Sequence, residues 1–169
     1  KGYTYSPSVY ARYEGHLKLG KTANMGSITT PSLSDIDAGK NATLLVQFDA
    51  AAYSSAGGSV DNGDTHFYVS VTPPATIGGM EEREVGIEVT NVWGWTRFSV
   101  LVYGATAETK ITFGSERAVK CRLYLDNISI SRAADEGAET PEPQPVETPL
   151  DKEIVDNSPA GTYNSSNEV

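Results

Sequence analysis

The chain has 169 residues, with 22 Asp and Glu against 13 Lys and Arg and a formal charge of −9. It lacks the basic face with which a nucleic-acid binder neutralises phosphates. Residues 1–132 hold 12 basic and 13 acidic groups, while residues 133–169 hold 1 and 9, so the acidity belongs to the C-terminal segment and the rest is close to neutral. The single cysteine, Cys121, excludes an intrachain disulfide framework and a cysteine-based zinc cluster. The sequence has no apolar run long enough to span a bilayer and no signal peptide, and it starts at Lys1 without a Met, as expected of a cleaved or excised start.

In chain order, KGYTYSPSVYARYE carries Tyr3, Tyr5, Tyr10 and Tyr13 and reads as an extended, packed edge or as a ligand platform. HLKLG and GSITTPSL follow as two short strands. TLLVQFDA alternates Leu44, Val46, Phe48 and Ala50 with Leu45, Gln47 and Asp49. THFYVSV sets Phe67, Val69 and Val71 against His66, Tyr68 and Ser70. EVGIEVT sets Val85, Ile87 and Val89 against Gly86, Glu88 and Thr90. TRFSVLVYG and TKITFGS place Phe98, Val100, Val102, Ile111 and Phe113 on one face. A period of two predicts half-buried antiparallel strands with one wet face, and SSAGGSVDNGD and PPATIGGMEE separate them as turns.

In the last strand Val119, Cys121, Leu123 and Leu125 keep one phase, but Ile128 and Ile130 keep the other. A slip of one residue at Asp126–Asn127 predicts a β-bulge or strand corner there. Cys121, alternating with apolar residues, is expected as a small core side chain. About eight strands at this spacing predict an all-β, two-sheet antiparallel β-sandwich of the jelly-roll type. The remainder, 133–169, holds five of the nine prolines and reads as an acidic, Pro-rich linker or tail. The expected domain is therefore 1–132.

The succession GHLKLG, GSITTPSLSDI, LLVQFDAAAY, WTRFSVLVYGATAETKITFGS and RLYLDNISIS, over residues 15–132, resembles jelly-roll modules of Bacteroidetes surface and secreted proteins, lipoproteins among them. These are similar to galactose-binding-like carbohydrate-binding modules. The resemblance implies a β-sandwich in an extracytoplasmic setting of a Gram-negative bacterium. It also implies a structural calcium ion held by a last-strand aspartate, Asp126, with an N-terminal carboxylate, Glu14. Those two supply only part of the six to eight oxygens calcium needs, and the alternative role for Asp126 is to cap backbone amides at the bulge. SVDNGDTH offers Asp61, Asn62 and Asp64, but Asn-Gly-Asp reads more simply as a hairpin turn.

Trp93 and Trp95 are the ligand candidates. Continued into the following strand, they share a phase with Arg97 and oppose Phe98 and Val100. Two indoles on a solvent face stack on pyranose rings, with Arg97, Tyr68, Glu88 or Asp49 bonding the hydroxyls. The alternative is that Trp95 anchors the strand by packing. Gln47, Asp49, Tyr53, His66, Tyr68 and Glu88 fall on outer faces of strands whose sheet membership the sequence leaves open.

Enzyme readings find no support. His16 and His66 are the only histidines and match no metal-binding spacing, and no GxSxG elbow is present. Asn41, Asn127 and Asn164 fall in N-x-[ST] patterns, which carry little weight in so Asn- and Ser-rich a chain. Two function classes remain: a non-catalytic module binding a polysaccharide or other glycan, and a structural spacer or protein-interaction module between neighbouring domains of a surface protein.

Overall fold

The computed structural model describes residues 2–11, 15–21, 24–53, 66–78, 81–91, 94–115 and 121–149. Among these residues there are strands and turns but no helix, and none that could cross a membrane. The strands are β1 (Thr4–Tyr5), β2 (Val9–Ala11), β3 (Leu17–Leu19), β4 (Ser27–Thr29), β5 (Ala42–Ala52) and β6 (His66–Val71). They continue as β7 (Thr76–Ile77), β8 (Glu84–Glu88), β9 (Gly94–Ala105), β10 (Ile111–Ser115), β11 (Leu123–Arg132) and β12 (Gln144–Pro149).

The strands make two antiparallel sheets, one ordered β1-β4-β10-β6-β8 and the other β12-β9-β5-β11-β3-β2, with β7 added to β9. Four additions, β1, β2, β7 and β12, are short edge strands. Without them the sheets read β4-β10-β6-β8 and β9-β5-β11-β3, and the chain crosses between sheets at every connection except β6 to β8. This is the two-sheet jelly roll, and its eight strands are those read from the alternation.

Alternation also decides which atoms fill the sandwich. Leu44, Val46, Phe48 and Ala50 of β5, Phe67 and Val69 of β6, Val100 and Val102 of β9 and Ile111 and Phe113 of β10 are buried in one cluster. Phe48 lies at its centre, with ring centroids 5.4 Å from Phe67, 5.3 Å from Phe113 and 5.8 Å from Phe98. Cys121 is buried, as its position among apolar residues predicts.

The phase slip in β11 is real. Asp126 pairs with Asp49 and Ser129 with Gln47, so β11 spends one more residue than β5 between the two pairs. Asn127 takes φ 49° there, and Asp126 Oδ1 accepts its backbone N–H at 2.8 Å. Asparagine is among the few residues with a side chain that enter the left-handed region readily. The extra residue returns Ile128 and Ile130 to the core side, where both pack on the cluster.

The ends of the sheets depart from the sequence reading. The N-terminal tyrosines do supply strands: β1 extends β4, β2 extends β3, and Tyr3 and Tyr5 pack on the core. Residues 144–149, assigned to the linker, form β12 on the edge of β9, pairing Gln144 with Arg97, Pro145 with Thr96 and Pro149 with Gly94. Proline suits this place because an edge strand has one side that need not donate hydrogen bonds. Thr140–Pro143 run beside Val85–Glu88 of one sheet and Phe98–Val100 of the other, across the gap between them. Composition marks this stretch as unable to form a core, and it forms none; it closes the edge of one made by others. Residues 150–169 lie outside the described residues.

Candidate ligand-binding site

The outer face of the larger sheet divides into an aromatic part and a polar part, because β5 presents Ala51 in one and Gln47 and Asp49 in the other. Ala51, Tyr124 of β11 and Trp95 of β9 form a second buried cluster, joined by Tyr53 and by Val146 of β12. The small side chain of Ala51 leaves room for its neighbours to converge. His16, buried, meets Trp95 and Tyr124 edge-on at centroid distances of 5.4 and 5.3 Å. Tyr53 carries two cations on its ring, Lys18 Nζ at 4.3 Å and Arg122 Cζ at 3.9 Å.

The polar part is organised by Asp49, whose side chain is 2% exposed against 45% for Arg97. Arg97 Nε donates to Asp49 Oδ1 at 2.8 Å and Nη2 to Oδ2 at 3.0 Å, while Asn127 Nδ2 donates to Oδ2 at 2.9 Å. A planar fork on a carboxylate is the strongest neutralising geometry available to a side chain. The bond to Asp49, and then its charge, raise the Arg97 pKa above its ordinary value against a smaller desolvation effect. One row further on, Gln47 Nε2 donates to Ser99 Oγ at 3.1 Å. Gln47, Arg97, Asn127, Ile128 and Ser129 line an open groove of about 460 Å³. Asp49 and Ser99 hold its Arg97, Asn127 and Gln47 side chains before any ligand arrives.

Of the residues named from sequence, Arg97 and Gln47 line this groove and Asp49 anchors it. Trp95 shares its face but is only 9% exposed; it is packed under Val146 and beside His16 and offers no open ring for stacking. The anchor alternative describes its setting. Trp93 lies outside the described residues. Tyr68 and Glu88 belong to the other sheet, on β6 and β8, and neither lines the groove that holds Arg97. Tyr68 is opposite Gly86 and Gly114, and its ring covers Gly114, whose missing Cβ would sit 2.6 Å from the phenol oxygen. Burial, then the nearby charge of Glu84, raises its pKa. That is a packing role, in which a cross-strand aromatic covers a bare glycine.

Asp126 bonds the adjacent backbone amide, as in the capping alternative, and faces Asp49, whose oxygens are taken by Arg97 and Asn127. Glu14, Asp61, Asn62 and Asp64 lie outside the described residues. Among the described residues no group of three or more His, Cys, Asp or Glu side chains is placed to hold a metal.

The groove residues that sequence reading did not select as ligand contacts are Asn127, Ile128 and Ser129. Their signal was the phase slip itself, since the bulge is what turns Asn127 toward Asp49.

No protein-family profile matches the chain, and no curated protein matches it. Solved structures with a similar arrangement include one described as "Family 16 Carbohydrate Binding Module-2", at 16% identity and TM-score 0.48 over 75% of this chain and 86% of that one. A second is "TmCBM61 in complex with beta-1,4-galactotriose", at 14% identity and TM-score 0.47 over 78% and 83%. A third is the enzymatically active domain of bacteriophage CBA120 tailspike protein 4, at 12% identity and TM-score 0.42 over 78% of this chain and 18% of that one.

Proposed function

We propose that the protein is a non-catalytic glycan-binding module whose site is the polar groove on the outer face of β9, β5 and β11. The observation that carries this reading is the locked array Arg97–Asp49–Asn127 beside Gln47 and Ser129. Asp49 uses two of the five guanidinium N–H donors, leaving three for a ligand. Asn127 and Gln47 each donate one amide hydrogen within the array, and their carbonyl oxygens are acceptors. Donors and acceptors alternating across a sheet match vicinal sugar hydroxyls, each of which donates and accepts. Because Asp49 neutralises Arg97, the groove favours a neutral polymer over a charged one. The same pairing argues against catalysis: a glycosidase needs a carboxyl group free to transfer a proton or attack, with a second one opposite, and Asp49 is committed to its ion pair. A cell-surface or secreted, extracytoplasmic setting accords with this ligand.

Affinity gels containing neutral polysaccharides, together with a glycan array, test the reading on the full chain and on Arg97→Ala and Gln47→Ala. At least one neutral glycan should retard the wild type, and Arg97→Ala should weaken binding about tenfold or more, as expected for loss of a charge-assisted hydrogen bond. Absence of binding to every glycan, or binding indifferent to both substitutions, would overturn it and favour a spacer or protein-interaction module.

A further inference from the structure

The groove does not end at the bulge. Strand β3 pairs with β11 only at Leu123–Leu125, so from Asp126 onward β11 has β5 on one side and, among the described residues, no paired strand on the other. A cavity of about 190 Å³ lies on that side, between the two sheets. Asn127 and Ile128 line both the cavity and the groove, so the two spaces meet around the bulge. The cavity walls are otherwise Tyr3, Tyr5, Gly15, Leu17, Ile28 and Leu125, with Asp126 the one ionisable carboxyl among the described lining residues. A cavity of roughly 150 Å³ holds one benzene-sized ring, so this one takes the methyl-bearing end of a pyranose and leaves the hydroxylated remainder at its open side.

The lining decides which pyranose. A fully hydroxylated sugar would press hydroxyls against Leu17, Ile28 and Leu125, which can accept no hydrogen bond, whereas a methyl-bearing sugar presents an apolar end to them. Asp126 and Asn127, on the bulge side, bond the hydroxyls that remain. The geometry points to a two-part site: the groove holds the body of a glycan, and the cavity takes a terminal sugar that carries a methyl group, on a 6-deoxy carbon or in an acetyl substituent. This rests on the glycan-binding reading and adds to it the identity of the terminal unit.

Titration by NMR or calorimetry with matched probes tests it. L-fucose against L-galactose isolates the 6-deoxy methyl, and N-acetylglucosamine against glucose isolates the acetyl methyl, each as the free sugar and as the end of a short neutral oligosaccharide. One of the two pairs should show a preference of about tenfold or more for the methyl-bearing member, from methyl burial and avoidance of a stranded hydroxyl. Leu17→Trp, which fills the cavity from a half-buried position, should abolish that preference, and so should Tyr3→Ala, which opens it. Near-ultraviolet circular dichroism confirms that each variant is folded. Glycan binding that needs Arg97 but shows no methyl preference, or a preference untouched by both cavity variants, would overturn the two-part site and leave the groove standing. No binding to any glycan would overturn both.

Discussion

Asn127 joins the fold to the proposed site, and replacing it separates two effects that the structure superposes. Its backbone sits at φ 49° and its amide donates to the buried Asp49 at 2.9 Å. Asn127→Gly keeps the backbone at ease and deletes the amide. A hydrogen bond to a charged group contributes about 1.5–3 kcal/mol, and because Asn127 is exposed, water replaces part of it, leaving a loss of about 1 kcal/mol. Asn127→Ala deletes the same bond and keeps a Cβ in the left-handed region without the polar side chain that lets asparagine enter it, so relative to glycine it carries a backbone cost at the lower end of about 1–2 kcal/mol. The expected order is wild type, then Gly, then Ala, with Ala below Gly by about 1 kcal/mol or slightly more. At about 2–4 °C per kcal/mol for a chain of this length, Ala should melt about 4–10 °C below wild type and Gly about 2–4 °C below. Asn127→Asp keeps the backbone preference but sets a carboxylate beside Asp49, so it should be less stable than the wild type at neutral pH. Urea titration and calorimetry of the four proteins decide the matter. An alanine variant as stable as the glycine variant, or more so, would refute the assignment of strain to this bulge.

Other perturbations follow from the packing. Gly26 lies where a Cβ would meet Gly20 N at 2.3 Å and Ser8 O at 2.9 Å, backbone atoms that cannot step aside, so Gly26→Ala should cost about 3 kcal/mol or more, at the upper end of overpacking, in chemical denaturation; a change below the measurement error would contradict the close approach. Burial raises the pKa values of Tyr3 and Tyr68 above 10.0. The folded state then holds these protons more tightly than the unfolded state, so the stability they contribute is full below pH 10 and is lost as pH rises through the raised values. Melting temperature should fall above pH 10, less steeply in Tyr68→Phe, and an unchanged slope would show that Tyr68 does not contribute. Ending the chain at residue 132 removes β12 and the contact of Val146 with Trp95. It should lower stability by about 1–2 kcal/mol, part of the value of a buried valine, and shift tryptophan emission to the red; unchanged emission and melting would return residues 133–149 to the status of a linker.

The eight strands, their buried faces and the bulge were legible in the amino-acid sequence because each depends on a period of two that neighbouring residues carry locally. Phe48, Phe67 and Phe113 are core by alternation alone, and the shift from Leu125 to Ile128 announces the extra residue. The candidate site was legible only in part. Arg97 was marked by its phase, but Tyr68 and Glu88 share that outward phase and lie on the opposite sheet, since alternation says which way a side chain points and not which sheet bears it. Trp95 points outward as expected and is nonetheless buried, because β12, about 50 residues later in the chain, lays Val146 over it.

What the sequence determined by itself was the division of each strand into a wet and a dry face and the near-neutrality of the domain. Only the tertiary structure decided that the acidic, Pro-rich segment contributes an edge strand at Gln144–Pro149 and that Arg97, Asp49 and Asn127 meet. Those outcomes come from pairing between strands distant in sequence, which depends on register and sheet order. A local period contains neither.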